Sequence, residues 1–275
     1  MTVPVPQLST IALRVDGAVA EITLNRPDRS NALNEAMWQE LRAAMRWADM
    51  TPEVRAVVLA GAGRNFCAGI DLAMLGGVAQ AVAHADPARS REKLRRLILD
   101  LQDCLSSIES CRKPVLAAIH GACVGGALDL VCCCDVRYAA ADATFSVREV
   151  DVGMVADVGT LQRLPRLVAD GVARELAYTG RDFGADEAAR IGLVNRVFAS
   201  PEALAAGALE VARTIAAKSP LAVRGTKEML NYGRDHSVAD GLNYVATWNA
   251  AMLMSADLDE AMAAAKERRA PRFAD

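Results

Sequence analysis

At 275 residues, with 52% apolar and 24% charged side chains, the chain can bury one large core, alone or with an appendage. A net charge of -3 excludes a surface built to grip polyphosphate backbones, which demands a basic stripe. No apolar run approaches the ~20 residues of a membrane helix. Met1 to Thr10 lack the basic start and apolar centre of an export signal, and Arg272 to Asp275 do not spell a peroxisomal address. The expectation is a cytoplasmic protein that binds neither nucleic acid nor membrane.

Elements follow in chain order. Ile11, Leu13 and Val15 alternate, Asp16-Gly17 offers a tight turn, and Val19 to Leu24 continue as the second arm of a hairpin. Asn25 to Asp28 break the strand. Asn34 then suits an N-cap for a helix with Met37, Leu41, Met45 and Ala48 on one face, closed by Thr51-Pro52. Val54 to Ala60 reads as a buried strand. Gly76 to Ser90 carry little pattern and hold Pro87, which predicts a mobile surface segment. Leu94, Leu97, Ile98, Leu101, Leu105 and Ile108 form a helical stripe, and the basic residues Arg91 to Arg96 on it suit a solvated face. Pro114 ends that helix and Val115 to Ile119 form another buried strand. Strands and helices alternate, which argues α/β, with a repeated strand–strand–helix unit compatible with the order. From about Pro201 the chain is almost wholly helical. Its Leu204, Leu209, Val211 and Ile215 need a partner surface, such as another subunit. The division expected is a core over 1–200 and a helical region over 201–275.

Seven cysteines, three of them consecutive at Cys132–Cys133–Cys134, fit neither a C-x-x-C metal site nor a disulfide framework. They read as buried thiols in a reducing compartment. His84, His120 and His236 are scattered, so neither a metal nor another cofactor is expected; His120 reads as a packed or hydrogen-bonded side chain.

Two glycine-bearing stretches follow buried strands, Ala68-Gly69-Ile70-Asp71-Leu72 and Gly121 to Asp129. Glycine lets backbone approach a ligand, and helix starts present unpaired N–H groups. Two such groups converging would make an oxyanion hole. The same glycines also suit close packing of a helix on a sheet. They form neither a dinucleotide fingerprint nor a Walker loop. Asp129, Glu149, Asp151 and Asp157 cluster in otherwise apolar sequence, where a carboxylate must be paired, hydrogen-bonded or functional. Asp151 and Asp135 read as structural, Asp135 as an ion-pair partner of Arg137.

The run Phe66 to Leu72, then Gly125 to Leu130, then Cys134 to Tyr138 resembles the crotonase (enoyl-CoA hydratase/isomerase) superfamily, over nearly the whole chain. Val147 to Gly153, followed by Ala156 to Pro165, is similar to its Δ3,5-Δ2,4-dienoyl-CoA isomerase branch. The resemblance implies a spiral of ββα units with a C-terminal helical oligomerisation region, assembled as homotrimers or homohexamers. It implies an acyl-CoA substrate, with coenzyme A part of that substrate, and a place in fatty-acid β-oxidation. It implies that the Ile70 and Gly126 N–H groups form the oxyanion hole, and that Glu149, Asp157 and Asp129 are catalytic. Glu149 would serve C2 and Asp157 C6 of a dienoyl chain, while Asp129 assists or tunes them. Arg29, Ala32, Ala68, Gly69, Asp71 and Leu72 would line the coenzyme A, although Arg29 also suits a solvated loop. Alternatives on the same fold are an enoyl-CoA hydratase, a Δ3-Δ2-enoyl-CoA isomerase or a dehalogenase with an aspartate nucleophile. A non-catalytic acyl-CoA- or RNA-binding member is the alternative outside enzymes.

Overall fold

The expected hairpin forms: β1 (Ile11–Asp16) runs antiparallel to β2 (Val19–Leu24), with Asp16 opposite Val19 across Gly17 and Ala18. Gly17 adopts φ +60°, the left-handed backbone that a two-residue turn requires. The computed structural model describes residues 3–274; Met1, Thr2 and Asp275, at the outer limits of the two expected regions, lie outside it. Asn34 caps α1 (Glu35–Met50) by accepting the Met37 N–H at 3.0 Å, and Met37, Leu41, Met45 and Ala48 are all buried.

Next come β3 (Ala56–Gly61), α2 (Leu72–Ala81) and α3 (Pro87–Ser110). Then follow β4 (Val115–Ile119), β5 (Ala122–Val124) and α4 (Gly126–Cys132). A further turn of chain supplies β6 (Val136–Ala140), β7 (Thr144–Ser146), α5 (Thr160–Arg163) and α6 (Asp170–Thr179). The core ends with β8 (Phe183–Gly184), α7 (Ala185–Arg190) and β9 (Arg196–Phe198). Four helices close the chain: α8 (Pro201–Ala216), α9 (Pro220–Tyr232), α10 (Val238–Met252) and α11 (Ala256–Glu267).

The strands form a six-stranded sheet, β1-β2-β3-β4-β6-β9, and a three-stranded one, β5-β7-β8. Single bridges, Leu33 with Ile70 and Cys67 with Cys123, extend the small sheet toward the start of the chain. Each turn of chain therefore gives one strand to the large sheet, one extended segment to the small sheet, and then a helix. That is the ββα spiral.

The large sheet is buried on both faces, which is why its strands read as unbroken apolar runs. Val57, Leu59, Val115, Ala117 and Ile119 face the main core with α1 and α3. The alternate residues Ala56, Val58, Leu116 and Ala118 face Leu204, Ala208, Ala212 and Ala216 of α8. Leu209, Val211 and Ile215 pack partly buried against the same layer. The partner surface these residues need is thus the back of the sheet in the same chain, not another subunit.

Two local readings change. Residues 76–90 are largely helical: α2 runs on to Ala81 and α3 starts at Pro87, each capped by an aspartate, Asp71 and Asp86. None of the α2 residues is buried, so the surface placement holds while periodicity gave no signal. Asp135 does not pair with Arg137. α9 delivers Lys227 to it at 2.7 Å, and Asp135 also accepts the Val115 N–H. The Arg137 guanidinium is instead satisfied by the carbonyls of Leu193, Val131 and Cys134.

Candidate active site

The Leu33 bridge orients the first oxyanion donor. Leu33 N–H donates to Gly69 O at 2.8 Å, and Asp71 N–H donates to Leu33 O at 3.0 Å. In a parallel bridge these bonds go to the residues flanking Ile70, so the N–H of Ile70 itself turns away from Leu33, toward Val124–Gly126. The second donor, Gly126 N–H, opens α4, where the first N–H groups lack an intrahelical acceptor. The two stretches meet closely. A Cβ at Gly69 would lie 2.6 Å from Val124 O and 3.2 Å from Gly126 N, and Gly69 holds φ +86°. A Cβ at Gly126 would sit 3.7 Å from Ile70 N. Only glycine at 69 lets the two N–H groups share one recess.

That recess opens into a cavity of about 110 Å³ whose wall includes Ile70, Gly126, Glu149 and Asp157, with Trp38, Leu75, Leu101 and Met154 as apolar lining. Glu149 heads a 3₁₀ turn, Glu149–Val152, that Arg148 braces through Asp151 at 3.1 Å and through Asp182. Asp157 lies on an irregular segment before α5. Asp129, on α4, is fully buried behind the wall, and its Oδ1 accepts the Thr160 N–H.

The carboxyls are held above their ordinary range. Burial, then the charge of Asp129, pushes Glu149 up to about 7. Burial raises Asp129, although the Thr160 bonds oppose it. Burial also raises Asp157, against a pull from its own backbone N–H. Asp129 Oδ2 and Glu149 Oε2 are both buried with no donor reaching them. Both groups are thereby shifted toward their neutral forms, Glu149 in part by the charge of Asp129 beside it. The cavity therefore holds Glu149, poised near neutrality, and the raised carboxyl of Asp157 beside two N–H donors, which is apparatus for forming and protonating an enolate.

Comparison with known proteins decides the family. The profile described as enoyl-CoA hydratase/isomerase matches residues 14–275. The chain belongs to this family. Within it, the chain is 48% identical over 268 residues to the peroxisomal Delta(3,5)-Delta(2,4)-dienoyl-CoA isomerase of Arabidopsis thaliana, covering 97% of this chain and 96% of that one. It is 46% identical over 268 residues to the mitochondrial enzyme of the same name from Homo sapiens, covering 96% and 82%. A crystal structure of enoyl-CoA hydratase from Bacillus anthracis superposes with a TM-score of 0.88 at 32% identity, covering 97% of this chain and 99% of that one.

Of the family residues expected around coenzyme A, Ala68, Gly69 and Leu72 line the cavity, with Leu72 72% exposed at its rim. Asp71 is engaged elsewhere: it caps α2 and pairs with Arg26 at 3.0 Å, which holds its carboxyl low. Ala32 accepts a bond from Arg26 through its carbonyl, and Arg29 stands exposed in the adjoining turn. His120 bonds the Gly63 carbonyl at 2.9 Å, a structural contact. All seven cysteines are buried and unpaired, with thiols pushed up by burial. Sequence reasoning missed Trp38 and Arg148 as wall residues, Thr160 as the donor to Asp129, and Gln102, which donates to the Asp157 carbonyl. The apolar flank of Asp157 did signal that its segment is enclosed, but no spacing pointed to these partners.

Proposed function

We propose that this chain converts 3,5-dienoyl-CoA to 2,4-dienoyl-CoA, moving a proton from C2 to C6. The observation that carries the reading is Asp157 in the same cavity as Glu149 and the two oxyanion donors. Glu149 takes the C2 proton, the electron pair spreads from C2 through C6, and the thioester oxygen gains charge opposite the Ile70 and Gly126 N–H groups. Asp157, protonated at the outset, then gives its proton to C6, leaving double bonds at C2 and C4. Exchange with solvent takes the proton from Glu149 and returns one to Asp157 before the next turnover. One C–H bond breaks and one forms, so no redox partner is called for. Coenzyme A belongs to the substrate, and we assign no further cofactor. Arg29, exposed and near enough to Asp71 for its charge to lower that carboxyl, suits the coenzyme A phosphates.

Hydration on the same fold would need Glu149 and Asp129 to grip one water. Asp129 lies off the cavity wall, which supports isomerisation instead. The two dienoyl-CoA isomerase relatives support it independently, and with them a place in fatty-acid β-oxidation. Exposed apolar side chains on the last helices, among them Leu230, Leu242 and Met262, support assembly into trimers or hexamers through the 201–275 region. No described helix is long and apolar enough to cross a membrane. The buried free thiols support a reducing compartment, and the cytoplasm is the setting we carry forward, although the two relatives are named peroxisomal and mitochondrial. Parallel incubation with a 3,5-dienoyl-CoA and a 2-enoyl-CoA, followed by conjugated-diene absorbance, tests the activity. Rapid growth of the absorbance of a diene conjugated with the thioester, with little loss of the 2-enoyl absorbance, is expected; efficient hydration with inert dienes overturns the reading.

A further inference from the structure

Asp157 sits where regular structure runs out. Residues Met154 to Asp157 belong to no helix or strand, and glycines in left-handed or wider positive φ bracket them, Gly153 at +74° and Gly159 at +134°. Among the described residues, no backbone–backbone hydrogen bond involves Val155 to Val158. Among the described residues, one side-chain bond ties this stretch to the rest of the fold: Gln102 Nε2 donates to the Asp157 carbonyl at 2.6 Å. The contrast with its anchor is sharp. Gln102 stands on the 24-residue α3, beside Leu101, Cys104, Leu105 and Ile108, all buried. The same stretch divides two spaces, since Val158 lines both the catalytic cavity and a larger polar cavity to which Gln102 and Gly159 also contribute. Ala156 and Val158 pack into the core, which fixes the depth of the segment, but apolar contacts do not fix the rotation of the Asp157 peptide. A hydrogen bond to its carbonyl does, and with it the direction of the Asp157 side chain.

We propose that Gln102 is the positioning residue for Asp157, setting the aim of the carboxyl at the far end of the dienoyl chain without touching substrate. The inference rests on the proton-delivery role given above to Asp157. Displacing a reacting group by about 1 Å costs on the order of 100-fold in rate. A lost tether should therefore slow protonation at C6 while leaving the Glu149 end intact.

The test is Gln102→Leu, which keeps the bulk and removes the donor, measured in three ways on the full-length protein. Turnover of a 3,5-dienoyl-CoA should fall about 10–100-fold in kcat with KM within about twofold. Exchange of the C2 hydrogens of the same substrate with deuterated water should stay within about twofold of the unsubstituted protein, because it needs only Glu149. Backbone amides of 155–158 should exchange with deuterium faster, with the melting temperature nearly unchanged. Unchanged turnover overturns the proposal, as does a parallel fall in turnover and C2 exchange, which marks a general structural role. Gln102→Glu, which replaces the donor by an acceptor facing the carbonyl, should be at least as damaging, and full activity in that variant also overturns it. If the unsubstituted protein ignores dienes while the Gln102→Leu amides loosen, the catalytic reading fails and the tether stands.

Discussion

The two ends of the catalytic cavity are built by opposite means. Glu149 sits on a short helical turn braced by ion pairs from Arg148 and close to the charge of Asp129, so its acidity is governed by burial and a neighbouring charge together. Asp157, half-buried on an irregular segment, is raised by burial alone and held through its backbone. The difference teaches that a fixed acid–base midpoint comes from a coupled pair, whereas reach along an extended substrate comes from a loop whose peptide is aimed from outside. Each end should therefore be separable from the other.

The largest effects should come from removing the carboxylates. Asp157→Asn should lower diene isomerisation by about 10²–10⁴-fold, the usual contribution of a general acid or base, while C2 hydrogen exchange persists. Glu149→Gln should abolish both to the same degree. Mass spectrometry of substrate recovered from deuterated water separates the two, and loss of C2 exchange in Asp157→Asn would erase the distinction between the ends. Next in size, Gly69→Ala forces a Cβ to within 2.6 Å of Val124 O and displaces the oxyanion donors. A fall in kcat of about 100-fold is expected, in line with loss of one oxyanion donor, with equal damage to isomerisation and exchange since both pass through the enolate.

A smaller effect is the pH dependence of the Glu149 end. The base must be ionised, and burial with Asp129 places its midpoint at about 7. The rate of C2 exchange should climb through pH 7 and level off above it. In Asp129→Asn the midpoint should move to lower pH, while burial, the larger cause, keeps it above the usual carboxylate value. The smallest effect is on stability. A carboxyl whose folded pKa is raised favours the fold below its unfolded value near 4.5, and that contribution is lost as pH rises through about 7. Glu149→Gln should therefore melt above the unsubstituted protein at pH 8, by about 1–2 kcal/mol after allowance for partial exposure, or a few degrees. The advantage should vanish at pH 4.

Much of the fold is legible in the residues, and the reasons are physical. Burial on both faces makes β3 and β4 read as continuous apolar runs, and the Asn34 cap and the Met37–Leu41–Met45 stripe mark α1. The Leu72–Ala81 helix escaped because its sequence has no polar face to set against an apolar one, and nothing in it is buried. At the site, glycines flanking two would-be donors and carboxylates in apolar runs stand out from composition alone. Their assembly does not, since Ile70 and Gly126 meet only through the Leu33 and Cys67 bridges. Longer-range pairs are harder still. Lys227 reaches Asp135 across 92 residues and Gln102 reaches Asp157 across 55, and neither helix shows by its periodicity which polar residue is engaged.

Cys67 precedes Ala68 and Gly69 of the cavity wall, its Sγ accepts the Gly69 N–H at 3.4 Å, and burial pushes its thiol up to about 12. A 2,4-dienoyl thioester is an electrophile at C3 and C5, to which a thiolate with access to the cavity would add. At cellular pH the thiol stays protonated and without access to the cavity, its hydrogen directed to the Asn31 carbonyl at 3.1 Å. The packing that brings the backbone donors together thereby also insulates the chain from alkylation by its own product.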